Sequence, residues 1–271
     1  MSSSGPPSNA PSDGPAPRSL VGGALVSLAL LALAVVLART AWVSDDAFIT
    51  LRTVENLVAG RGLTWNPGQR VQVFTHPLWM WVLATFALAG RSSWFTLLAP
   101  SVLFDLAAVA VILWPLRARP AAVVGTAALL LGSKAFVDFG TSGLEQPLLS
   151  LLLAAFLAEG GSARRPVVLG ALAGLAAFTR LDAALLVGPG LLLALRGASA
   201  RARVGAVAAA AGPAGAWMAF SLIYFGFALP NTAALGGQIF YQQVVPLEFD
   251  LAGNLASVTG TNGLTLTIGV L

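Results

Sequence analysis

The chain has 271 residues, of which 57% are hydrophobic and 10% are charged, and its mean hydropathy is +0.82. This composition excludes a soluble domain, and the apolar segments lack the alternation of barrel strands, so we predict an all-α, polytopic helical membrane protein. The net charge of +4 comes without a basic patch interleaved with aromatic residues, which argues against nucleic acid as a partner, and the lack of cysteine excludes disulfides and thiolate chemistry.

The N-terminal part of the chain divides into a tail and a first span. Residues 1–18 are rich in Ser, Pro and Gly and are predicted to form a disordered cytoplasmic tail. Leu20 to Ala38 is a continuous apolar run, and no small-residue cleavage pattern precedes the polar loop, so we predict a span that is retained. Residues 19–271 then form one transmembrane module. A new apolar run begins near Leu264 just before the chain stops, and we expect the module to be incomplete at its C-terminus.

Residues 39–94 form the predicted first outer loop, the densest concentration of charged and polar side chains in the chain. Ser44 or Asp45 can cap a helix from about Asp46 to Ala59. Its apolar stripe consists of Phe48, Leu51, Val54 and Val58, whereas Asp46, Thr50, Thr53 and Asn56 lie elsewhere. This pattern predicts a helix that lies along the membrane surface. Gly, Asn and Pro residues break regular structure after it, and a second helix is predicted after Pro77.

The second helix, Leu78 to Ala89, decides the topology. It is short for a span and carries Trp79 and Trp81, which suit the membrane interface, so we interpret it as a surface helix. The remaining predicted spans are Phe95 to Leu116, Ala121 to Phe136, Leu144 to Ala158, Val167 to Phe178, Ala183 to Leu195, Val204 to Phe227 and one beginning near Leu264. The loop arginines Arg117, Arg119, Arg164, Arg165, Arg196, Arg201 and Arg203 then share the cytoplasmic side with Arg18, as the positive-inside rule requires. Counting the second helix as a span would place them on the far side.

The same topology places four polar stretches together on the outer face. They are the first outer loop, the turn DFGTSGLEQP (138–147), the turn TRLDA (179–183) and the segment ALPNTAALGGQIFYQQ (228–243). The predicted cytoplasmic loops contain little besides Arg, Gly, Ala and Pro. Acidic and amide side chains therefore converge on one face, where an enzyme acting at the outer leaflet would need them.

The string DDAFITLRTVENLVAGRGLTWNPGQRVQVFTHPLW, followed in order by SGLEQP, RLDA and LPNTA, resembles the C-type glycosyltransferases that use polyprenyl-phosphate sugars. Within that class the chain looks most like the group containing the mycobacterial terminal arabinofuranosyltransferases and many unassigned bacterial relatives. The resemblance covers about Trp42 to Tyr241. It implies an inverting transferase of the bacterial inner membrane, with its site facing the periplasm or cell exterior. The implied reaction moves a sugar, such as arabinofuranose, from a polyprenyl phosphate to an envelope glycan or lipid acceptor.

By the family pattern, the pair Asp45 and Asp46 supplies the catalytic base that takes a proton from the acceptor hydroxyl. One carboxylate must lie within hydrogen-bond reach of that hydroxyl, and the other can orient it or help to hold a divalent cation, Mg or Mn, near the leaving phosphate. Either aspartate can be the base. The structural alternative is that Asp45 caps the helix and Asp46 merely suits its positive end.

Further candidates for substrate binding are Arg52, His76, Glu145, Arg180, Asp182 and Asn231. The two arginine forks can hold the donor phosphate, and the alternatives are salt bridges of Arg52 with Glu55 and of Arg180 with Asp182. The single histidine can bind phosphate, ligate a metal, pair with an aspartate or make an interfacial hydrogen bond. Glu145 either lines the site or caps the span that follows it, and Asn231 either contacts sugar or forms a turn.

Some features fit the resemblance less well and keep other functions open. Relatives carry a basic residue shortly after the PNT motif, and residues 233–241 have none. Asp105 lies mid-span, where an ionisable group needs a partner or cavity, and we leave it outside the site. Together with Gly188-Pro189-Gly190 it is the only support for a lipid-linked-sugar transporter, which needs polar residues along its spans and broken helices. A non-catalytic membrane subunit of envelope glycan assembly would keep the fold without the chemistry.

Overall fold

The computed structural model describes residues 17–90, 92–161 and 165–227 and the dipeptides 258–259 and 265–266. The helices in these ranges are α1 (Pro17–Thr40), α2 (Asp45–Val58), α3 (Pro77–Ala87), α4 (Ser93–Leu113), α5 (Pro120–Gly132), α6 (Lys134–Phe139), α7 (Gln146–Gly161), α8 (Pro166–Thr179), α9 (Ala183–Leu195) and α10 (Ala200–Tyr224). A short 3-10 helix, Trp114–Ala118, follows α4. The predicted all-α fold class is therefore confirmed.

Most predicted helices lie within a few residues of the observed ones, but one predicted span is divided. The helix expected from Asp46 is α2, and the helix expected after Pro77 is α3, which begins at that proline because proline fits the first helical turn. The span predicted from Ala121 to Phe136 breaks between α5 and α6. Ser133 is extended there, and its hydroxyl accepts a hydrogen bond from Phe136 N at 3.4 Å, which caps α6.

Three described helices are long and apolar enough to cross a membrane, namely α1, α4 with its 3-10 extension, and α10. Five shorter apolar helices, α3, α5, α7, α8 and α9, accompany them. The 11 residues of α3 rise only about 16 Å, roughly half the hydrocarbon thickness of a bilayer. The polytopic membrane class is thus confirmed. The surface placement of α3 stays a prediction, but of the two tryptophans expected at the interface only Trp81 is exposed, whereas Trp79 is fully buried.

The last predicted span does not begin as a helix at Thr265. Strand β1 (Val258–Thr259) pairs with β2 (Thr265–Leu266) in antiparallel register. Three of these four residues are β-branched, which favours the extended backbone over the helix predicted from apolar content alone.

The bundle is held by one large core and by close contacts between helix backbones. Trp79, Met80 and Leu83 of α3 are fully buried and belong to a cluster shared with α2, α4, α7 and α8. Helices α8 and α10 pack closely through small residues. A Cβ added at Gly170 would lie only 2.2 Å from the carbonyl oxygen of Ala206, so this position requires glycine. This is the close approach that small residues permit between membrane helices. The buried α3 fixes the position of His76, which immediately precedes it.

Helix α2 buries polar residues as well as part of its predicted apolar stripe. Its buried residues are Ala47, Thr50, Leu51, Thr53, Val54 and Asn56. Leu51 and Val54 of the predicted apolar stripe are buried, whereas Phe48 and Val58 are 43% and 44% exposed. The buried polar residues are accommodated because each has a hydrogen-bond partner: Thr50 contacts His76, and the Asn56 amide donates to the backbone of the following loop.

Candidate active site

The turn before α7 docks onto the start of α2. Ser44 N donates to the carbonyl oxygen of Ser142 at 2.9 Å, and the indole N–H of Trp79 donates to that of Gly143 at 2.9 Å. Gly143 has a φ of +77°, and a Cβ at this position would lie 2.8 Å from the Cβ of Ala47. Only glycine combines this conformation with this contact. The turn therefore carries Glu145 to a fixed place beside α2 and α3.

Glu145 joins three separate parts of the chain. Its Oε2 lies 3.2 Å from Nδ1 of His76, and its Oε1 accepts a hydrogen bond from Nη1 of Arg180 at 3.1 Å. Arg180 also holds both carboxylate oxygens of Asp182 through Nε and Nη2, each at 3.0 Å. The first outer loop, the 138–147 turn and the 179–183 turn, which were predicted to converge, thus meet at one buried carboxylate.

The hydrogen bonds assign a role to each nitrogen of His76. Glu145 is engaged as a carboxylate by Arg180 and can only accept, so Nδ1 of His76 carries the proton. Nε2 lies 2.8 Å from Oγ1 of Thr50 and accepts its hydroxyl hydrogen. Burial lowers the pKa of His76 below its ordinary value of 6.5, against the opposing effect of the Glu145 charge. The imidazole is therefore neutral at neutral pH, and its carboxylate partner is Glu145 rather than an aspartate.

The salt bridge considered for Arg180 and Asp182 is present. The hydrogen bonds between them raise the pKa of Arg180 and lower that of Asp182. All three guanidinium nitrogens face carboxylates, so in this arrangement Arg180 orients Glu145 instead of offering a free fork to phosphate. Glu145 does not cap α7 through its side chain, which points to His76 and Arg180; only its backbone oxygen accepts the bond from Leu149 N, at 3.0 Å.

Asp45 and Asp46 lie exposed at the first turn of α2. Oδ1 of Asp45 accepts the Ser44 hydroxyl at 3.2 Å and Asp46 N at 3.0 Å. Ser44 occupies the cap position without a side-chain capping bond, so the predicted cap is not formed by its hydroxyl. Asp46 lies one helical turn before Thr50, whose hydroxyl contacts His76. The aspartate pair is therefore carried by the same helix that contacts the network of His76, Glu145 and Arg180.

A divalent cation was expected near Asp45 and Asp46, which are neighbours in the first turn of α2. Within residues 17–90, 92–161 and 165–227, no three His, Cys, Asp or Glu side chains group as a metal site. Mg²⁺ is commonly held by one or two carboxylates together with substrate phosphate and water. Two carboxylates alone do not form a complete protein cage, so a cation held by this pair would need further ligands such as water.

Arg52 does not pair with Glu55, so the salt bridge considered for it is wrong. Its Nε donates to the carbonyl oxygen of Trp65 at 3.1 Å, and its guanidinium lies 5.3 Å from the centroid of the Trp65 ring. Glu55 instead accepts a hydrogen bond from the Ser93 hydroxyl at 2.9 Å. Arg52 therefore remains available to an anion, unlike Arg180.

Sequence reasoning missed Thr50, which contacts His76 from α2. Asp46 and Thr50 are four residues apart and share one helix face, a signal that could have found it. Asn231 lies outside the described residues. Asp105 is 1% exposed, and a Cβ at Gly140 would lie 2.2 Å from its Oδ2, so its carboxylate packs against the start of the turn that carries Glu145.

Two curated proteins are similar to this chain in sequence. The terminal beta-(1->2)-arabinofuranosyltransferase of Mycobacterium tuberculosis is 34% identical over 215 residues, which are 71% of this chain and 34% of that protein. Its namesake from Corynebacterium glutamicum is 32% identical over 233 residues, 71% of this chain and 32% of that protein. The chain spans about a third of the length of these relatives. No family model and no solved structure matches it.

Proposed function

We propose, from the premise that this chain is close in sequence to the terminal arabinofuranosyltransferase group, that it is a membrane glycosyltransferase acting on cell-envelope glycans. The sugar, arabinofuranose in this proposal, leaves a polyprenyl phosphate and joins a glycan or lipid acceptor. The observation that carries the proposal is that two exposed carboxylates, Asp45 and Asp46, begin the helix whose Thr50 contacts the buried network of His76, Glu145 and Arg180.

The aspartate pair provides the general base. A base must present a free carboxylate oxygen to the acceptor hydroxyl, and among the described residues neither Asp45 nor Asp46 forms an ion pair that would neutralise it. The acceptor oxygen bonds to the anomeric carbon as its proton passes to the carboxylate. The bond from that carbon to the phosphate oxygen breaks, and polyprenyl phosphate leaves. Attack opposite the leaving phosphate inverts the anomeric centre.

The buried network keeps the aspartate pair in a fixed position. Thr50 connects α2 to His76, and Glu145 connects His76 to Arg180 at the end of α8. Because three parts of the chain share these hydrogen bonds, the start of α2 cannot move independently of the turns around it. Placement of this kind reduces the barrier by holding the reacting groups near the geometry of attack. A divalent cation bound by Asp45 and Asp46 would add charge neutralisation at the leaving phosphate.

The active face is the outer face of the inner membrane in this proposal. A Cβ at Gly22 would lie 1.7 Å from the carbonyl oxygen of Arg117, so the start of α1 and the arginine-bearing 3-10 helix share one end of the bundle. The other end of α1 leads to Trp42, whose indole donates to the carbonyl oxygen of Asp138 at 2.7 Å. This separation of Arg117 from the aspartate pair supports the topology that the positive-inside rule predicts.

The proposal is tested by transfer from a panel of radiolabelled polyprenyl-phosphate sugars into endogenous acceptors. Membranes carry the wild-type chain, Asp45→Asn or Asp46→Asn at matched expression. We expect incorporation from the arabinofuranose donor, and its loss in at least one of the two variants. Incorporation at the wild-type level in both variants and in the double variant would overturn the assignment of the base.

A further inference from the structure

A buried asparagine organises the loop that follows α2. Asn56 is 4% exposed, and its Nδ2 donates to the carbonyl oxygens of Thr64 at 2.8 Å and Trp65 at 2.9 Å. Its Oδ1 accepts a hydrogen bond from Nε of Arg61 at 2.9 Å. Both ends of the amide are therefore used to hold the loop, and one of them also fixes an arginine side chain.

A second arginine is held by the same loop. Arg52 lies one turn before Asn56 in α2, and its Nε donates to the carbonyl oxygen of Trp65, which also accepts from Asn56. The Trp65 ring lies beneath the guanidinium and favours a cation at this place. Arg52, Asn56, Arg61 and Trp65 thus form one hydrogen-bonded unit, which we call the Asn56 cluster.

Hydrogen bonds also hold the backbone of the turn that carries Arg61. Arg61 N donates to the carbonyl oxygen of Asn56 at 2.9 Å, and the flanking Gly60 and Gly62 have φ values of +72° and +89°. Leu63 N donates to the Tyr224 hydroxyl of α10 at 3.0 Å. Arg61 is therefore presented by a shaped turn that is attached to the helix bundle.

Both arginines keep their charge and their outer nitrogens available. Each uses Nε to contact the protein, and among the described residues neither forms an ion pair with a carboxylate. Arg180 differs, because all three of its guanidinium nitrogens contact Glu145 or Asp182. Guanidinium forks match phosphate oxygens bidentately, and two exposed cations in one cluster without a counterion attract an anion.

The Asn56 cluster lies in line with the aspartate pair. Asp45 and Arg52 are seven residues apart in α2, about two helical turns, which places them on one face with a rise of roughly 10 Å between them. An anion at the cluster would therefore sit on the same side of α2 as Asp45.

We propose that Arg52 and Arg61 form a phosphate-binding site on the outer face and that its occupant is the phosphate of the lipid-linked donor. This assignment rests on the proposed function. Arg61 was not among the residues predicted from the sequence. Its Nε donates to the buried Asn56 and so holds the guanidinium in the same cluster as Arg52. The site should bind a phosphate group, which can belong to a polyprenyl phosphate or be free inorganic phosphate.

The test is direct binding of polyprenyl phosphate without sugar to the full chain in nanodiscs of neutral phosphatidylcholine. Loss of one charge-assisted contact is expected to weaken binding by about 10-fold to 100-fold in Arg52→Gln and Arg61→Gln. Arg70→Gln is the matched control, because Arg70 also lies over an aromatic ring, 4.9 Å from the centroid of Tyr224, yet does not contact Asn56. It should bind as the wild type does. Arg61→Lys keeps the charge without the fork and should also bind more weakly.

Three competitors of labelled polyprenyl phosphate distinguish the sources of the phosphate. Displacement by polyprenyl phosphate but not by inorganic phosphate or neutral polyprenol supports the lipid-linked donor. Displacement by inorganic phosphate at equal concentration would overturn that part, and undiminished binding by a monodisperse Arg52→Gln, Arg61→Gln double variant would overturn the site itself. No sugar is transferred in this measurement. Failure of the proposed function would therefore appear as absent transfer with intact, arginine-dependent phosphate binding.

Discussion

Nδ1 of His76 donates a hydrogen bond to Oε2 of Glu145 across 3.2 Å, while Oε1 of the same carboxylate accepts from Arg180 at 3.1 Å. This relationship ties the residue before α3 to the turn before α7 and to the end of α8. It also keeps a neutral imidazole in contact with a carboxylate, because burial disfavours the charged ring. The network should therefore affect both the pH dependence of unfolding and the transfer activity that depends on the aspartate pair.

Stability should fall with decreasing pH below about 6.5, and His76→Gln should reduce that fall. The pKa of His76 is lower in the folded protein than its ordinary value of 6.5, so the unfolded chain takes up the proton first. The free energy of unfolding therefore decreases as pH falls from 6.5 toward the folded pKa, and the effect is absent above that window. Melting temperatures of the detergent-solubilised wild type and variant between about pH 7.5 and 5 provide the measurement. If the melting temperatures of wild type and variant fall in parallel with pH, His76 is not the group whose pKa is lowered by folding.

Glu145→Ala should destabilise the protein by about 1–3 kcal/mol, because it leaves the buried N–H of His76 without an acceptor. Glu145→Gln should recover part of the loss, since the amide can donate to Nδ1 while the ring takes its other tautomer. Asp182→Asn is the control. It removes the exposed partner of Arg180 and should cost less than about 1 kcal/mol. Denaturant unfolding in detergent measures all three, and equal losses in Glu145→Ala and Asp182→Asn would argue against the network.

Gly143→Ala should reduce transfer activity by about tenfold or more. Its φ of +77° disfavours a side chain, and the new Cβ would lie 2.8 Å from the Cβ of Ala47, which pushes the first turn of α2 away from the turn before α7. Gly125→Ala in α5 is the matched control, because a Cβ there meets no atom within 4 Å. That variant should keep wild-type transfer and gain slight stability. Full activity in Gly143→Ala would show that the contact does not position the site.

Cysteine substitutions at Asn66 and Arg117 should be labelled from opposite sides of intact membranes. Asn66 lies between α2 and α3 in the loop that is predicted to be outside, whereas Arg117 lies in the 3-10 helix beside the start of α1. A membrane-impermeant maleimide applied outside is expected to label Asn66→Cys only, and Arg117→Cys only after permeabilisation. Labelling of both from one side would mean that α3 and α4 both cross the membrane, which would contradict the surface-helix interpretation of α3.

Local patterns predicted the elements of this fold but not the face that each one buries. Proline at position 77 marked the start of α3, and the polar 138–147 and 179–183 turns were expected on the same side of the membrane as the aspartates. The burial of Thr50 in α2 was not predicted, because its partner is His76, 26 residues away. A stripe of apolar side chains carries no information about such partners.

The site was predictable as a set of residues and less so as a set of contacts. His76, Glu145, Arg180 and Asp182 were all candidates and meet in one network. The contact of Arg52 was not predicted, because its partner is the backbone carbonyl of Trp65. A pattern of side chains in the sequence does not show which backbone groups are available. The requirement for glycine at position 143 likewise arises from a contact with α2 that is remote in sequence.

The most direct test of the central claim is sugar transfer in sealed vesicles of known orientation. Right-side-out and inside-out vesicles contain the lipid-linked donor, and a water-soluble acceptor glycan that cannot cross the membrane is added outside. We predict transfer in right-side-out vesicles, none in inside-out vesicles until they are permeabilised, and none in either with the Asp45→Asn, Asp46→Asn double variant. Transfer confined to intact inside-out vesicles, or undiminished transfer by the double variant, would contradict an outer-face glycosyltransferase that uses this aspartate pair.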